Sequence, residues 1–133
     1  KPLDKLMITQ SYGANIDYYK QWGYEGHEGI DYAALIGTPV YAVADGHVRI
    51  IREYGNYGKF IVIRHMNTYD SIYAHLSNFA QIEVGQQVQG GDVIGFTGNS
   101  GNSTGPQLHF TLKQLGLNYN KGAINPTPYL RRI

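Results

Sequence analysis

An imidazole and a carboxylate stand four positions apart in Gly26-His27-Glu28-Gly29-Ile30-Asp31-Tyr32, between glycines that let the backbone turn sharply and other groups come close. Histidine nitrogen and aspartate oxygen are both zinc donors, and a catalytic zinc takes three protein ligands, leaving its fourth position to water. A third ligand must come from elsewhere in the chain. His109 in Gly105-Pro106-Gln107-Leu108-His109-Phe110 is best placed, because that segment reads as a strand joined to a glycine-rich loop. Read alone, His27 and Asp31 are also compatible with two solvated loop side chains, so the surrounding chain has to decide.

Successive strand residues point to opposite faces, so Gln107 and His109 look into one space while Leu108 and Phe110 look into the core. By the same rule Tyr73 and His75 share a face in Tyr73-Ala74-His75-Leu76. A sheet that brings these faces against the loop carrying His27 and Asp31 produces a cleft floor bearing His27, Asp31, His75, Gln107 and His109. The other histidines read differently. His47, after Asp45-Gly46, reads as a surface hairpin residue, and His65, at the end of an apolar strand, as a structural hydrogen-bonding histidine. Glu28 reads as a solvated side chain, or as a group that helps the chemistry if it turns inward.

The elements that must position these groups are short strands. Leu6 to Gln10 is an opening strand, and Asp45-Gly46 between two β-prone runs is a hairpin signal. Lys59 to His65 and Asp70 to Leu76 read as a strand pair joined by a turn at Asn67. Further strands are expected over Glu83 to Val88, Asp92 to Gly98 and Gln107 to Gln114. Short strands at this spacing argue an antiparallel β domain rather than βαβ units. The Tyr-rich stretch from Ser11 to Gly26 reads as an ordered loop with a helical turn near Asp17 to Gln21, either walling a binding site or strapping one end of the sheet.

Composition narrows the function classes. A chain of 133 residues is most simply one domain, able to bury roughly two thirds of the surface its unfolded form exposes. Eleven Lys and Arg against ten Asp and Glu leave a net charge of +1, with no footprint for nucleic acid or an anionic membrane. The absence of cysteine excludes disulfides, thiolate catalysis and Cys-rich zinc sites, so any metal sits among nitrogen and oxygen donors. No apolar run is long enough to span a bilayer, and Lys1-Pro2-Leu3-Asp4 is not a signal peptide, which fits a domain excised or processed from a longer chain.

Five runs, in order, carry a resemblance: Gly26 to Ala34, Gly37-Thr38-Pro39-Val40 to Gly46, Tyr73-Ala74-His75-Leu76, Gly90 to Gly95, and Gly98-Asn99-Ser100-Gly101 through Gly105-Pro106-Gln107-Leu108-His109-Phe110. Together they resemble the lysostaphin and LytM type of zinc endopeptidase over nearly the whole chain. The resemblance implies a single antiparallel β-sheet domain with a long groove, a duplicated hybrid motif, spanning residues 1–133. It implies one zinc ion held by His27, Asp31 and His109, with His75 as a catalytic histidine. It also implies cleavage of peptide stems or cross-bridges of bacterial peptidoglycan, in an extracytoplasmic setting: secreted, cell envelope or phage virion. Tyr73 and Tyr12 are the expected substrate contacts.

The chain departs from the family at one position. The family pattern closes in His-x-His, and the first of those histidines, which assists the reaction without binding zinc, is Gln107 here. An amide can orient water or donate to an oxyanion, but it cannot carry a proton near neutral pH. Three functions follow: a zinc endopeptidase slowed by Gln107, a degenerate module that binds peptidoglycan or a partner enzyme without cutting, and a structural module of a phage-tail or cell-envelope assembly.

Overall fold

The computed structural model describes residues 1–14, 27–101, 103, 105–116 and 123–127. Its strands are β1 (Ile8–Gln10), β2 (Ile30–Ala33), β3 (Pro39–Tyr41), β4 (Gly46–Tyr54), β5 (Gly58–His65), β6 (Tyr69–Phe79), β7 (Gln87–Val88), β8 (Val93–Thr97), β9 (Gln107–Gln114) and β10 (Ala123–Ile124). They form one sheet ordered β1-β2-β9-β6-β5-β4-β7, with β10 beside β9 and β3 reached through β8 from β6. Each pairing is antiparallel. The helical turn expected near Asp17 to Gln21 lies outside the described residues.

The long hairpin of β5 and β6 forms where the sequence places it. Phe60, Ile61, Val62 and Ile63 supply β-prone side chains, and Met66 and Asn67 both take φ 51 in the turn. Two consecutive left-handed residues match the twist of the flanking strands. Alternation then sorts the faces. Leu108, Phe110 and Leu112 of β9 pack with Ile30, Tyr32, Ile61, Ile63 and Tyr73 in the main core, which also takes in Val40, Val88 and Ile94. Each large apolar side chain buried there contributes about 1.5–3 kcal/mol relative to exposure. The opposite face carries a smaller apolar cluster of Phe60, Val62, Ile72 and Ala74. Asp31, His109, Thr111 and Lys113 lie on that face beside it, because directly paired residues share a face.

Two sequence expectations are corrected. Asp45-Gly46 is not a hairpin turn: β3 pairs with β8, while β4 pairs with β5 and β7. Gly46 is needed for a different reason, since a Cβ there would run into the main-chain oxygen of Arg64. The expected strand over Glu83 to Val88 shrinks to Gln87–Val88, because Gln86 N donates to the Glu83 carbonyl and Gly85 adopts φ 92 in a turn.

The other departure falls at His75. β6 follows β9 up to the pair Ala74 and His109, then leaves it to follow β8 from the pair Leu76 and Thr97. His75 sits at the crossover with φ 62, a conformation that costs a non-glycine residue about 1–3 kcal/mol. Regular alternation ends there. The expectation that Tyr73 and His75 share a face is overturned: Tyr73 stays in the main core, and His75 is swung to the side of His109.

Candidate metal centre and active site

β2 and β9 place Asp31 directly opposite His109, so both side chains leave the same face. His27 joins them from the loop before β2. Its main chain is fixed on both sides, with His27 N donating to the Ala14 carbonyl across 2.7 Å and Gly13 N donating to the His27 carbonyl across 2.8 Å. Gly29 lets this loop lie flat against β9, where a Cβ would run into the main-chain oxygen of Phe110.

The three side chains are buried and turn one donor atom each toward a common point. His27 Nε2 lies 3.4 Å from Asp31 Oδ1, His109 Nδ1 lies 2.8 Å from the same oxygen, and the two nitrogens are 3.2 Å apart. A tetrahedral zinc with bonds of about 2.0–2.1 Å spaces its ligand atoms about 3.3 Å apart. One such ion therefore fits, with adjustments of a few tenths of an ångström, and the two-nitrogen, one-oxygen donor set suits it. Electrostatics agree. Burial opposes a charge on His109, yet hydrogen bonds and charge from Asp31 and Glu28 outweigh it and raise its pKa to about 9. Burial likewise opposes ionised Asp31, but the hydrogen bond and charge of His109 hold it well below the carboxylate range. The pocket is built to stabilise a positive charge between these groups.

Hydrogen bonds at the far side of the His27 and His75 rings set their tautomers. His27 Nδ1 donates to the Ser11 carbonyl across 3.2 Å and His75 Nδ1 to the Ser100 carbonyl across 2.7 Å. A carbonyl only accepts, so Nδ1 carries a proton in each ring and Nε2 is the nitrogen turned to the site. His109 Nε2 faces Thr111 Oγ1 at 2.8 Å, which leaves Nδ1 for the shared point. The His75 ring stands 5.9 Å from that of His109, and burial holds its pKa below the ordinary value despite the Ser100 contact. It is a neutral base beside a three-donor cation site.

This geometry agrees with comparisons to known proteins. The Peptidase family M23 profile matches residues 25–126. This chain is a member of peptidase family M23. It is 49% identical over 105 residues to the DD-carboxypeptidase/endopeptidase Mpg of Neisseria meningitidis, a match covering 78% of this chain and 24% of Mpg. Against the peptidoglycan DD-endopeptidase ShyA of Vibrio cholerae it is 46% identical over 86 residues, 65% of this chain and 20% of ShyA. The chain thus spans about a quarter or less of the length of these curated relatives. The catalytic domain of the antimicrobial peptidase lysostaphin from Staphylococcus simulans superposes with a TM-score of 0.78 at 30% identity, covering 95% of this chain and 92% of that one. The lysostaphin-like antiparallel architecture expected from the sequence is the observed one.

Around this M23 centre the remaining residues sort themselves. Gln107 opens β9 at the edge of the site, half-buried, with Nε2 donating to Ser103 Oγ across 3.1 Å. Glu28 is not solvated: its side chain is only 12% exposed, and Oε1 accepts from the Tyr57 hydroxyl across 2.7 Å. Tyr73 cannot touch substrate, because it is 0% exposed in the core and its hydroxyl accepts from Val43 N. Tyr12 packs half-buried against the core edge, with its hydroxyl donating to the Ala123 carbonyl across 3.0 Å. His47 lies within β4, opposite Arg64 and Gln87, rather than in a turn. His65 is structural, its ring nitrogens bonded to the Asp45 carbonyl and to Ser71 Oγ.

Sequence reading missed Tyr57, Thr111 and Ser100. Thr111 was findable, two residues beyond His109 on the same face. Ser100 acts through its carbonyl, which carries no residue-type signal, and Tyr57 sits in a short turn between strands.

Proposed function

We propose that this chain is a zinc-dependent endopeptidase that cuts peptide cross-links of peptidoglycan in an extracytoplasmic setting. The observation that carries the reading is the convergence of His27 Nε2, Asp31 Oδ1 and His109 Nδ1, with the neutral ring of His75 beside them. His27, Asp31 and His109 would hold the ion. When bound, zinc supplies a Lewis acid that polarises the scissile carbonyl and lowers the pKa of water toward ~7.

The chain's own residues do the rest. His75 Nε2 takes the proton of the attacking water and returns it to the departing amine, work worth roughly a hundredfold to ten-thousandfold. Ser100 holds the ring in the tautomer that leaves Nε2 basic. Burial keeps His75 neutral at the pH where it must accept a proton. Gln107 can donate a hydrogen bond to the developing oxyanion but takes no part in proton transfer.

Gln107 also favours a second reading, in which the domain binds peptidoglycan or a partner enzyme without cutting, as a module of an envelope or phage-tail assembly. The intact ligand set supports the first reading over it, since a binding module needs no cation with an open position. The deciding experiment is digestion of purified peptidoglycan by zinc-loaded and chelator-treated protein, with mass analysis of released fragments. Zinc-dependent muropeptide cleavage establishes the peptidase. Binding to peptidoglycan with no fragment released, by protein shown to hold zinc, establishes the module.

A further inference from the structure

Glu28 is a carboxylate taken out of water next to a cation site, and such a group needs compensation. Its partners are specific. Oε1 accepts from the Tyr57 hydroxyl across 2.7 Å and lies 3.7 Å from His109 Nε2, while Oε2 is buried with no hydrogen-bond partner among the described residues. His109, Tyr57 and Lys113 are the cationic and hydrogen-bonding groups that face it. Tyr57 is itself preset. Its ring lies 5.6 Å from that of His109, tilted 33°, and meets Phe60 edge-on at 5.4 Å.

Consecutive residues thereby reach opposite ends of one ring. His27 Nε2 approaches His109 Nδ1 at 3.2 Å, and Glu28 Oε1 stands 3.7 Å from His109 Nε2 on the other side. Gly29 makes this clasp feasible by letting the loop press against β9. We propose that Glu28 is a positioning residue for His109: held by Tyr57, its carboxylate joins Thr111 in engaging the outward N–H of His109, and so sets how tightly the chain holds zinc. The inference rests on the metal-site reading above.

Three effects act in the same direction. A carboxylate beside Nε2–H fixes the tautomer that leaves Nδ1 for the metal, and it raises the donor strength of Nδ1. It also balances charge. A divalent ion with Asp31 alone leaves one positive charge in a buried pocket, and Glu28 offsets it. Thr111 Oγ1, at 2.8 Å, supplies the short hydrogen bond but no charge. Lys113 does not account for Glu28 by itself, because its charge also acts on Asp70, opposite it on β6.

The test measures zinc affinity by competition with a chromophoric chelator, on wild type, Glu28→Gln and Tyr57→Phe. Glu28→Gln keeps the shape and removes the charge, and is expected to weaken zinc binding by about tenfold to a hundredfold. Tyr57→Phe leaves the carboxylate but loosens it, and should weaken binding by a smaller factor; it carries the test if Glu28→Gln fails to fold. The visible spectrum of the cobalt-substituted Glu28→Gln protein should keep the intensity of a four-coordinate ion while its bands shift, because the ligands remain and their donor strength changes. Zinc binding within about twofold of wild type in both variants overturns the inference and leaves the metal site standing. A wild-type chain that takes up no zinc overturns both.

Discussion

His75 Nδ1 and the carbonyl oxygen of Ser100 lie 2.7 Å apart, and that one main-chain contact decides which nitrogen of His75 faces the site. Ser100 is itself pinned, its Oγ donating to the Leu76 carbonyl across 2.6 Å and accepting from Lys59 N across 3.0 Å. Gly58, at φ 63, lets the loop lie this close, since a Cβ there would strike Ser100 and Gly101. The strained φ of His75 is thus held from two sides, as expected for a group whose direction matters.

Replacing His75 with Ala should separate chemistry from metal binding. Zinc stoichiometry is expected to stay at wild-type level, because no ligand is lost, while peptidoglycan turnover falls by roughly a hundredfold to ten-thousandfold. Unchanged turnover in a zinc-loaded His75→Ala protein would remove His75 from the mechanism.

The ligand set makes a sharper demand. His27→Ala and His109→Ala should each abolish uptake of one zinc per chain, and chelation of the wild type should abolish hydrolysis, with zinc restoring it. Metal analysis of purified protein and variants checks this. Full zinc occupancy in His109→Ala would place the ion elsewhere.

Much of the site is legible in the sequence. Strict alternation in Gln107 to Phe110 placed Leu108 and Phe110 in the core and His109 on the other face, because β9 is a regular strand paired on both sides. The same rule failed one strand away. Tyr73 and His75 are separated by the same two positions, but β6 changes partners at His75, whose left-handed backbone cancels the alternation. Nothing in Tyr-Ala-His-Leu signals a change of partner. Glu28 was misread for a related reason: an isolated glutamate is ordinarily solvated, and its burial depends on Tyr57, which only the fold brings to it. The Asp45-Gly46 signal was local and genuine, but Gly46 answers a close approach to Arg64 rather than a hairpin.

Gln107→His tests how much the departure from the family pattern costs. Position 107 shares the face of His109 at the start of β9, so an imidazole there enters the site edge and supplies a second proton carrier. Turnover on peptidoglycan should rise by about tenfold or more with zinc affinity unchanged, since no ligand is touched. A zinc-loaded Gln107→His protein with no gain would favour the binding-module reading. Ser103 needs no compensation, because its hydroxyl keeps the Gly105 carbonyl as acceptor across 2.7 Å.

A final prediction concerns stability away from the metal. His65 Nδ1 donates to the Asp45 carbonyl across 2.8 Å, so the neutral ring accepts at Nε2 from the Ser71 hydroxyl across 2.7 Å. Ser71 then accepts from Tyr73, whose oxygen accepts from Val43 N, and each proton in this buried row is assigned. Burial above all lowers the pKa of His65, against the opposing pull of Asp45 and Asp70. In the unfolded chain the imidazole binds a proton near pH ~6.5, and in the folded chain only at lower pH. Between those limits the unfolded state holds more protons, so stability falls as pH drops below about 6.5 and levels off below the folded pKa. One group contributes a slope of at most about 1.4 kcal/mol per pH unit. His65→Gln keeps a donor and an acceptor without a titrating ring, so its stability should depend less steeply on pH. Denaturant titrations between about pH 5 and 7.5, with chelator present to remove metal linkage, measure both slopes. Equal slopes in wild type and variant would mean that the proton enters the folded ring as readily as the unfolded one, against the assigned row.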